Sequence, residues 1–118
     1  MTLAEITRII GGEVLTPDAD LTREVTSAFG ADLMSDVLAF VTDNSLLITG
    51  LINPHVIRTA EMLDIGCIVF SRGKQPSEEM LEMAQEADIT VISTKMTTYT
   101  VSGELYKHGL PGTNEKTR

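Results

Sequence analysis

Three cationic residues stand directly after apolar runs of the sequence and could bind an anion. Arg72 and Lys74 flank Gly73, and Lys95 follows the next apolar run along the chain. A guanidinium binds phosphate through paired hydrogen bonds and an ammonium binds it as a point charge. Because glycine lets the backbone come close to a ligand, these residue types together predict a site for a small anionic molecule.

Further polar residues occur wherever a predicted strand passes into a predicted helix. Ligands of open α/β sheets bind beyond the carboxyl ends of the strands, so four such loops indicate one shared site. Helix starts need Ser, Thr and Asn for capping whatever they bind, and capping is the alternative for each residue. The candidate ligand-binding residues are Asp32, Ser35, Asp36, Thr49, Asn53, His55, Arg72, Gly73, Lys74, Thr94, Lys95 and Thr97.

Acid–base chemistry would have to come from His55 with Asp32 or Asp36. An unperturbed histidine has a pKa of about 6.5, and carboxylates four residues apart share a helix face on which a divalent cation can bind. Acidic residues in a first helical turn also simply complement the helix dipole. The sequence contains no phosphate loop, dinucleotide fingerprint, nucleophile elbow, H-E-x-x-H or C-x-x-C motif. We therefore predict no catalytic residue, no metal and no cofactor.

The elements that must position these residues alternate along the whole chain. This rhythm predicts an α/β fold, a three-layer α/β/α domain around a mainly parallel sheet of about five strands. The continuous apolar run 65–70 predicts a central strand that is buried on both faces. Strands are predicted near 13–15, 23–29, 45–49, 66–70 and 89–93, and helices near 2–10, from Asp32 to a stop at Asp43–Asn44, after Asn53, after Ser77, and over 97–108.

Length, charge and cysteine content limit the function classes. The 118 residues, 42% of them hydrophobic, predict one domain over 1–110, followed by a polar, flexible C-terminal tail over 111–118. A net charge of −8 opposes binding to nucleic acids and anionic membranes. The sequence shows neither a secretion signal nor a membrane span, which predicts a cytoplasmic location. The single cysteine, Cys67, lies in an apolar run and is expected to be a buried thiol.

The loop residues resemble those of the DRTGG domain family over about Ile9 to Leu110. The similarity rests on the segments 30–39, 46–53, 72–76, 92–95 and 103–106, of which 30–39 is the most specific. Where the family often has Asp-Arg this chain has Leu51 to His55, and Arg72-Gly73-Lys74 stands near the usual Thr-Gly-Gly. The resemblance implies a fold similar to the N-terminal, non-catalytic domain of HPr kinase/phosphorylase. It also implies an accessory role, as in phosphotransacetylases, cobyrinic-acid-synthase-like proteins, regulated pyrophosphatases and iron hydrogenase systems.

Two hypotheses about function follow. The first is a non-catalytic regulatory module that binds a small anionic metabolite or nucleotide at the carboxyl edge of the sheet. The second is a protein-interaction accessory subunit, for example of an iron hydrogenase or another metabolic enzyme, with no ligand of its own. The helix after Ser77 favours the second, because its four glutamates carry no lysine between them and a basic partner would relieve their repulsion. In either case we expect a homodimer, the commonest closed assembly.

Overall fold

The computed structural model describes residues 1–42 and 44–113 and shows the predicted α/β fold. Five strands form one sheet in the order β1-β5-β4-β3-β2, in which β2 to β5 are parallel and β1 runs antiparallel to β5. No helix in these two ranges is long and apolar enough to cross a membrane. The elements are α1 (Leu3–Ile9), β1 (Glu13–Val14), β2 (Ser27–Gly30), α2 (Met34–Phe40), β3 (Ser45–Thr49), α3 (Pro54–Met62), β4 (Cys67–Phe70), α4 (Glu78–Glu86), β5 (Thr90–Ser93) and α5 (Thr98–Lys107).

Helices cover both faces of the sheet, and each face has its own apolar core. Side chains of α2, α3 and α4 pack with Leu47 and Ile68 on one face. Side chains of α1 and α5 pack with Leu46 and Val69 on the other. All four residues of β4 are buried, as expected for a central parallel strand with helices above and below it.

Four helices begin at the residues that the sequence predicts, because each is capped by a hydroxyl or amide side chain. Asn53, Ser77 and Thr97 each accept a hydrogen bond from a backbone N–H in the first turn of the helix that follows. Thr2 and Glu5 form a reciprocal capping box at α1. Hydrogen bonds from the backbone and hydroxyl of Thr2 lower the pKa of Glu5 from its ordinary value.

Three boundaries differ clearly from the prediction. The strand expected over 23–29 joins the sheet only at Ser27, because Arg23 and Val25 bond instead to the N-terminal residues Leu3 and Met1. The helix expected to begin near Asp32 begins at Met34, and its N-cap residue makes no side-chain capping bond. The same helix ends at Phe40, before the stop predicted at Asp43–Asn44, because Val41 has an extended backbone. Asp43 itself lies outside the described residues.

The first residues of the predicted tail lie against the sheet. Ala28 of β2 donates its backbone N–H to the Pro111 carbonyl and accepts from the Thr113 N–H, which forms a parallel bridge with Gly112. Thr113 is buried, and its hydroxyl lies 3.2 Å from the hydroxyls of Ser27 and Ser45. Residues 111–113 therefore cover part of the edge strand β2. Residues 114–118 lie outside the described residues, and the boundary at 110 stays a prediction.

Candidate functional site

Four loops meet at one edge of the sheet. Because β2, β3, β4 and β5 are parallel, the segments that follow them, 31–33, 50–53, 71–77 and 94–97, all leave from the same edge. Contacts between neighbouring loops hold them together. The topology thus brings together the loops that the sequence singled out.

Asp32 joins the loop after β2 to the loop after β3. Its Oδ1 accepts a hydrogen bond of 3.0 Å from the Thr49 hydroxyl and one of 2.8 Å from the Gly50 backbone N–H. The Thr49 Oγ1 in turn accepts from the Leu51 N–H at 3.1 Å. Because the Asp32 carboxylate is used in this way, it does not cap α2, and that explains why the helix begins two residues later than predicted.

Arg72 reaches across from the loop after β4 and lies over Gly50. A Cβ atom built on Gly50 would stand 2.9 Å from the Arg72 Nη2 and 3.3 Å from its Nε, so a larger residue at position 50 would make the guanidinium shift. The Arg72 backbone has a φ of 62° and donates its N–H to the Met96 carbonyl at 2.7 Å. The side chain is exposed to solvent at the middle of the edge.

Backbone bonds and buried hydroxyls fix the loops after β4 and β5 against each other. Gly73 donates its N–H to the Thr94 carbonyl at 2.7 Å, and the Thr94 hydroxyl donates to the Ile10 carbonyl at 2.7 Å. The Ser71 Oγ lies 2.7 Å from the Thr98 Oγ1. Thr94 therefore has a structural role, and Gly73 takes part through its backbone.

The other candidates divide into helix caps and exposed side chains. Asn53 and Thr97 cap α3 and α5, so their side chains have the capping role that is the alternative to ligand binding. His55 is exposed in the first turn of α3, and its backbone N–H donates to Asn53. The other exposed candidates are Ser35, Asp36, Lys74 and Lys95. The geometry does not link His55 to either aspartate by a hydrogen bond within residues 1–42 and 44–113.

The candidate site also includes residues that the sequence did not select. Gly50 and Ser71 are not among the candidates that the sequence predicts, although Gly50 lies beneath the Arg72 guanidinium and the Ser71 hydroxyl contacts that of Thr98. A glycine directly after a buried strand is the one sequence signal for such a close approach. No local pattern reveals which side chain will fill the space.

The cationic side chains at this edge form no ion pair with a described carboxylate. The ion pairs found in the described part of the chain join Glu24 to the N-terminal amine, Arg23 to Asp88 and Lys107 to Glu104. Arg72, Lys74 and Lys95 take part in none of them, although the whole chain carries a net charge of −8. The Asp32 carboxylate stands at the same edge as these three cations, where it is hydrogen-bonded to Thr49 and Gly50.

Other kinds of site find less support in the described residues. No group of three or more His, Cys, Asp or Glu side chains within 1–42 and 44–113 is arranged to hold a metal ion. Cavities of about 230 and 430 Å³ lie at the opposite, amino edge of the sheet, on either side of Arg23 and Gly66. These two cavities therefore lie away from the carboxyl edge, where the cationic loop residues stand.

Comparison with known proteins identifies the family. A solved structure with a TM-score of 0.77 and 22% sequence identity is that of the CBS and DRTGG domains of the regulatory region of Clostridium perfringens pyrophosphatase, complexed with the activator diadenosine tetraphosphate. The alignment covers 93% of this chain and 47% of that one, so the present chain spans about half of its structural neighbour. Comparison with the curated proteins gives no match. The DRTGG domain family matches residues 5–107, and the chain belongs to this family.

Proposed function

We propose that this chain is a non-catalytic regulatory module that binds a small anionic metabolite or nucleotide at the carboxyl edge of its sheet. The observation that carries the proposal is the Arg72 guanidinium, which lies over Gly50, is exposed, and forms no ion pair with a described carboxylate. A guanidinium in this position can donate two hydrogen bonds to the oxygens of one phosphate group.

The surroundings of Arg72 suit an anion with a polar body. Lys74 and Lys95 follow strands β4 and β5 at the same edge and add positive charge. The backbone around them is held by the bonds from Arg72 and Gly73 to Met96 and Thr94, so the site is largely formed before a ligand arrives. A pre-formed site loses less conformational entropy on binding.

The structural neighbour supports a regulatory role of this kind. The regulatory region of the Clostridium perfringens pyrophosphatase, which contains CBS and DRTGG domains, holds the activator diadenosine tetraphosphate. That ligand carries several phosphate groups, and phosphate is the chemistry that Arg72 and the two lysines would recognise. A polyphosphate nucleotide is therefore the first class of ligand to test.

Within residues 1–42 and 44–113, the candidate acid–base side chains are not brought together. His55 and Asp36 are exposed on separate helices, and the Asp32 Oδ1 is engaged by Thr49 and Gly50. A cytoplasmic location agrees with this proposal, because nucleotides and phosphorylated metabolites are intracellular ligands.

Thermal denaturation with a panel of phosphate compounds tests the proposal. The panel contains diadenosine tetraphosphate, ATP, acetyl phosphate, a phosphosugar and inorganic phosphate. A ligand at one hundred times its dissociation constant stabilises the fold by about 2.7 kcal/mol, which raises the melting temperature by several degrees. We expect at least one polyphosphate to produce such a rise and Arg72→Ala to abolish it.

The matched control is Arg58→Ala, which removes an exposed arginine from α3 and should leave the ligand-induced rise unchanged. Both variants should melt close to the unaltered protein without ligand, because exposed side chains contribute little to stability. If every compound leaves the melting temperature unchanged, or if Arg72→Ala and Arg58→Ala weaken the response equally, the proposed site is wrong.

The interaction-subunit hypothesis has its own observation. Glu78, Glu79, Glu82 and Glu86 are all exposed on α4, and none of them belongs to an ion pair found in the described part of the chain. A protein partner with a basic surface would be attracted to this helix. This function becomes the better proposal if the ligand panel fails.

A further inference from the structure

A groove with a mainly apolar lining, here called the α5 groove, lies between α5, β2 and residues 110–112. Ile48, Leu105 and the ring of Tyr106 contribute to its lining, and none of the described residues that line it is charged. Its volume of about 140 Å³ is smaller than the roughly 300–1,000 Å³ of pockets that enclose a whole ligand. The α5 groove is therefore suited to one uncharged, flat part of a larger molecule.

The α5 groove and the Arg72 guanidinium lie on the same face of the sheet. Successive residues of a strand point to opposite faces, and Ile48 belongs to the apolar core formed with α1 and α5. Gly50, two residues later, continues this alternation beneath the guanidinium. The Ser71 Oγ supports this placement, because it lies 3.4 Å from a Cβ built on Gly50 and 2.7 Å from the Thr98 Oγ1 of α5.

Short contacts connect the neighbourhood of Arg72 to the α5 groove. A Cβ built on Gly30, the last residue of β2, would stand 4.0 Å from the Thr98 Cγ2 and 3.6 Å from the Ser102 Oγ. Ser102 and Tyr106 follow Thr98 at intervals of four residues, so the three form one row along α5. Along this face a cation is thus followed by two hydroxyls and then by an apolar groove with an aromatic ring.

From this order we propose that the ligand of the carboxyl edge is a nucleotide whose phosphate groups bind Arg72 and whose base occupies the α5 groove beside Tyr106. The inference rests on the proposed function and narrows it to ligands with an aromatic base. The sugar lies between the two ends, where Thr98 and Ser102 offer hydroxyl groups. Inorganic phosphate, acetyl phosphate and phosphosugars carry no group that fills the α5 groove. Stacking on a tyrosine ring suits any base, because every base has a π-face.

Isothermal titration calorimetry of the full chain with ATP and with inorganic tripolyphosphate measures what the base contributes. We expect ATP to bind about ten times more tightly or better, the usual effect of stacking one base on an aromatic side chain. Tyr106→Ala should weaken ATP binding by a similar factor and leave tripolyphosphate binding unchanged, whereas Tyr106→Phe should retain the affinity for ATP. The matched control is Tyr99→Ala, which removes a tyrosine that is 88% exposed on the same helix and does not line the α5 groove.

Filling the α5 groove provides a second test. Ser102→Leu places a larger side chain at a position that lines the α5 groove, and it should weaken the binding of ATP but not of tripolyphosphate. Gly103→Leu is the control, because a Cβ at Gly103 would meet no heavy atom within 4 Å. Leucine favours the helix in both variants, and circular dichroism checks that each of them folds.

The outcomes separate this inference from the proposed function on which it rests. If ATP and tripolyphosphate bind equally and both lose affinity in Arg72→Ala, the anion site stands and the base does not occupy the α5 groove. The same conclusion follows if Tyr106→Ala and Tyr99→Ala, or Ser102→Leu and Gly103→Leu, affect ATP binding equally. If neither compound binds the unaltered protein, both proposals are wrong.

Discussion

Arg72 is unusual among the residues that adopt a left-handed backbone. In the described part of the chain the other non-glycine residues with positive φ are Asp18, Asn44, Asp64 and Asp88, all of the types that tolerate this conformation. A long cationic side chain has no such tolerance, so its presence at a φ of 62° has a cost that the fold alone does not explain. Retention of an unfavourable conformation at the centre of the candidate site is consistent with a binding role for the guanidinium.

Comparison of Arg72→Gly with Arg72→Ala isolates this backbone strain. Both variants remove the guanidinium, but only glycine relieves the left-handed conformation, which costs about 1 kcal/mol for a residue with a Cβ. We expect Arg72→Gly to melt about 4 °C above Arg72→Ala, while neither responds to the polyphosphates. Differential scanning calorimetry measures the difference. Equal melting temperatures would contradict the strained backbone at this position.

At the scale of elements, the sequence predicts the helix starts correctly, because these depend on neighbouring residues. It does not predict which distant segments pair. The caps at Thr2, Asn53, Ser77 and Thr97 are predictable because a capping side chain and the backbone N–H that donates to it lie within one helical turn. The segment that pairs with a strand or a tail can be far along the chain, and no local pattern predicts which segment it is. For this reason the residues around Val25 were assigned to the sheet, although they pair with the N-terminus.

The same distinction applies to the candidate site. The meeting of four loops follows from the alternation of strands and helices, so Asp32, Thr49 and Arg72 could be placed at one edge before the structure was known. The hydrogen bonds of Asp32 to Thr49 and Gly50, and the position of the Arg72 guanidinium over Gly50, depend on strand order and side-chain packing. Sequence spacing cannot supply either of these.

Thr113 offers a test of how firmly the C-terminal segment holds the β2 edge. Replacement by valine keeps the buried shape but removes the hydroxyl that lies 3.2 Å from both Ser27 and Ser45. We expect Thr113→Val to lower the free energy of unfolding by about 0.5–1.5 kcal/mol, the usual net value of a hydrogen bond.

Urea denaturation provides the measurement, with Thr42→Val as the control because Thr42 is exposed. The control should stay within about 0.5 kcal/mol of the unaltered protein. Equal stability of Thr113→Val and Thr42→Val would show that the hydroxyl cluster does not secure the edge.

At the scale of the whole molecule, the two edges of the sheet differ in the contacts that their arginine side chains make. The carboxyl edge presents Arg72 to solvent, whereas at the amino edge Arg23 lies over Gly66, donates to the Asp88 carbonyl at 2.9 Å and pairs with the Asp88 carboxylate. Beneath this cover, at the start of the central strand, lies Cys67. Arg23 is therefore expected to shield Cys67 between the two cavities of the amino edge.

The reactivity of the Cys67 thiol tests whether Arg23 shields it, and also whether the fold unfolds cooperatively. Burial raises the pKa of the Cys67 thiol to about 12, and the side chain has no exposed surface. The reactive thiolate is thus scarce and shielded at pH 8. Modification by an aromatic disulfide reagent should be slow, and its rate should rise with urea along the slope of global unfolding, because β4 is exposed only when both apolar cores separate.

Arg23→Ala opens the cover over Gly66 and should accelerate the reaction without urea, whereas Arg8→Ala, on the exposed side of α1, should not. Rapid labelling of the unaltered protein in the absence of urea, or equal labelling rates for the two arginine variants, would show that Arg23 does not shield the Cys67 thiol.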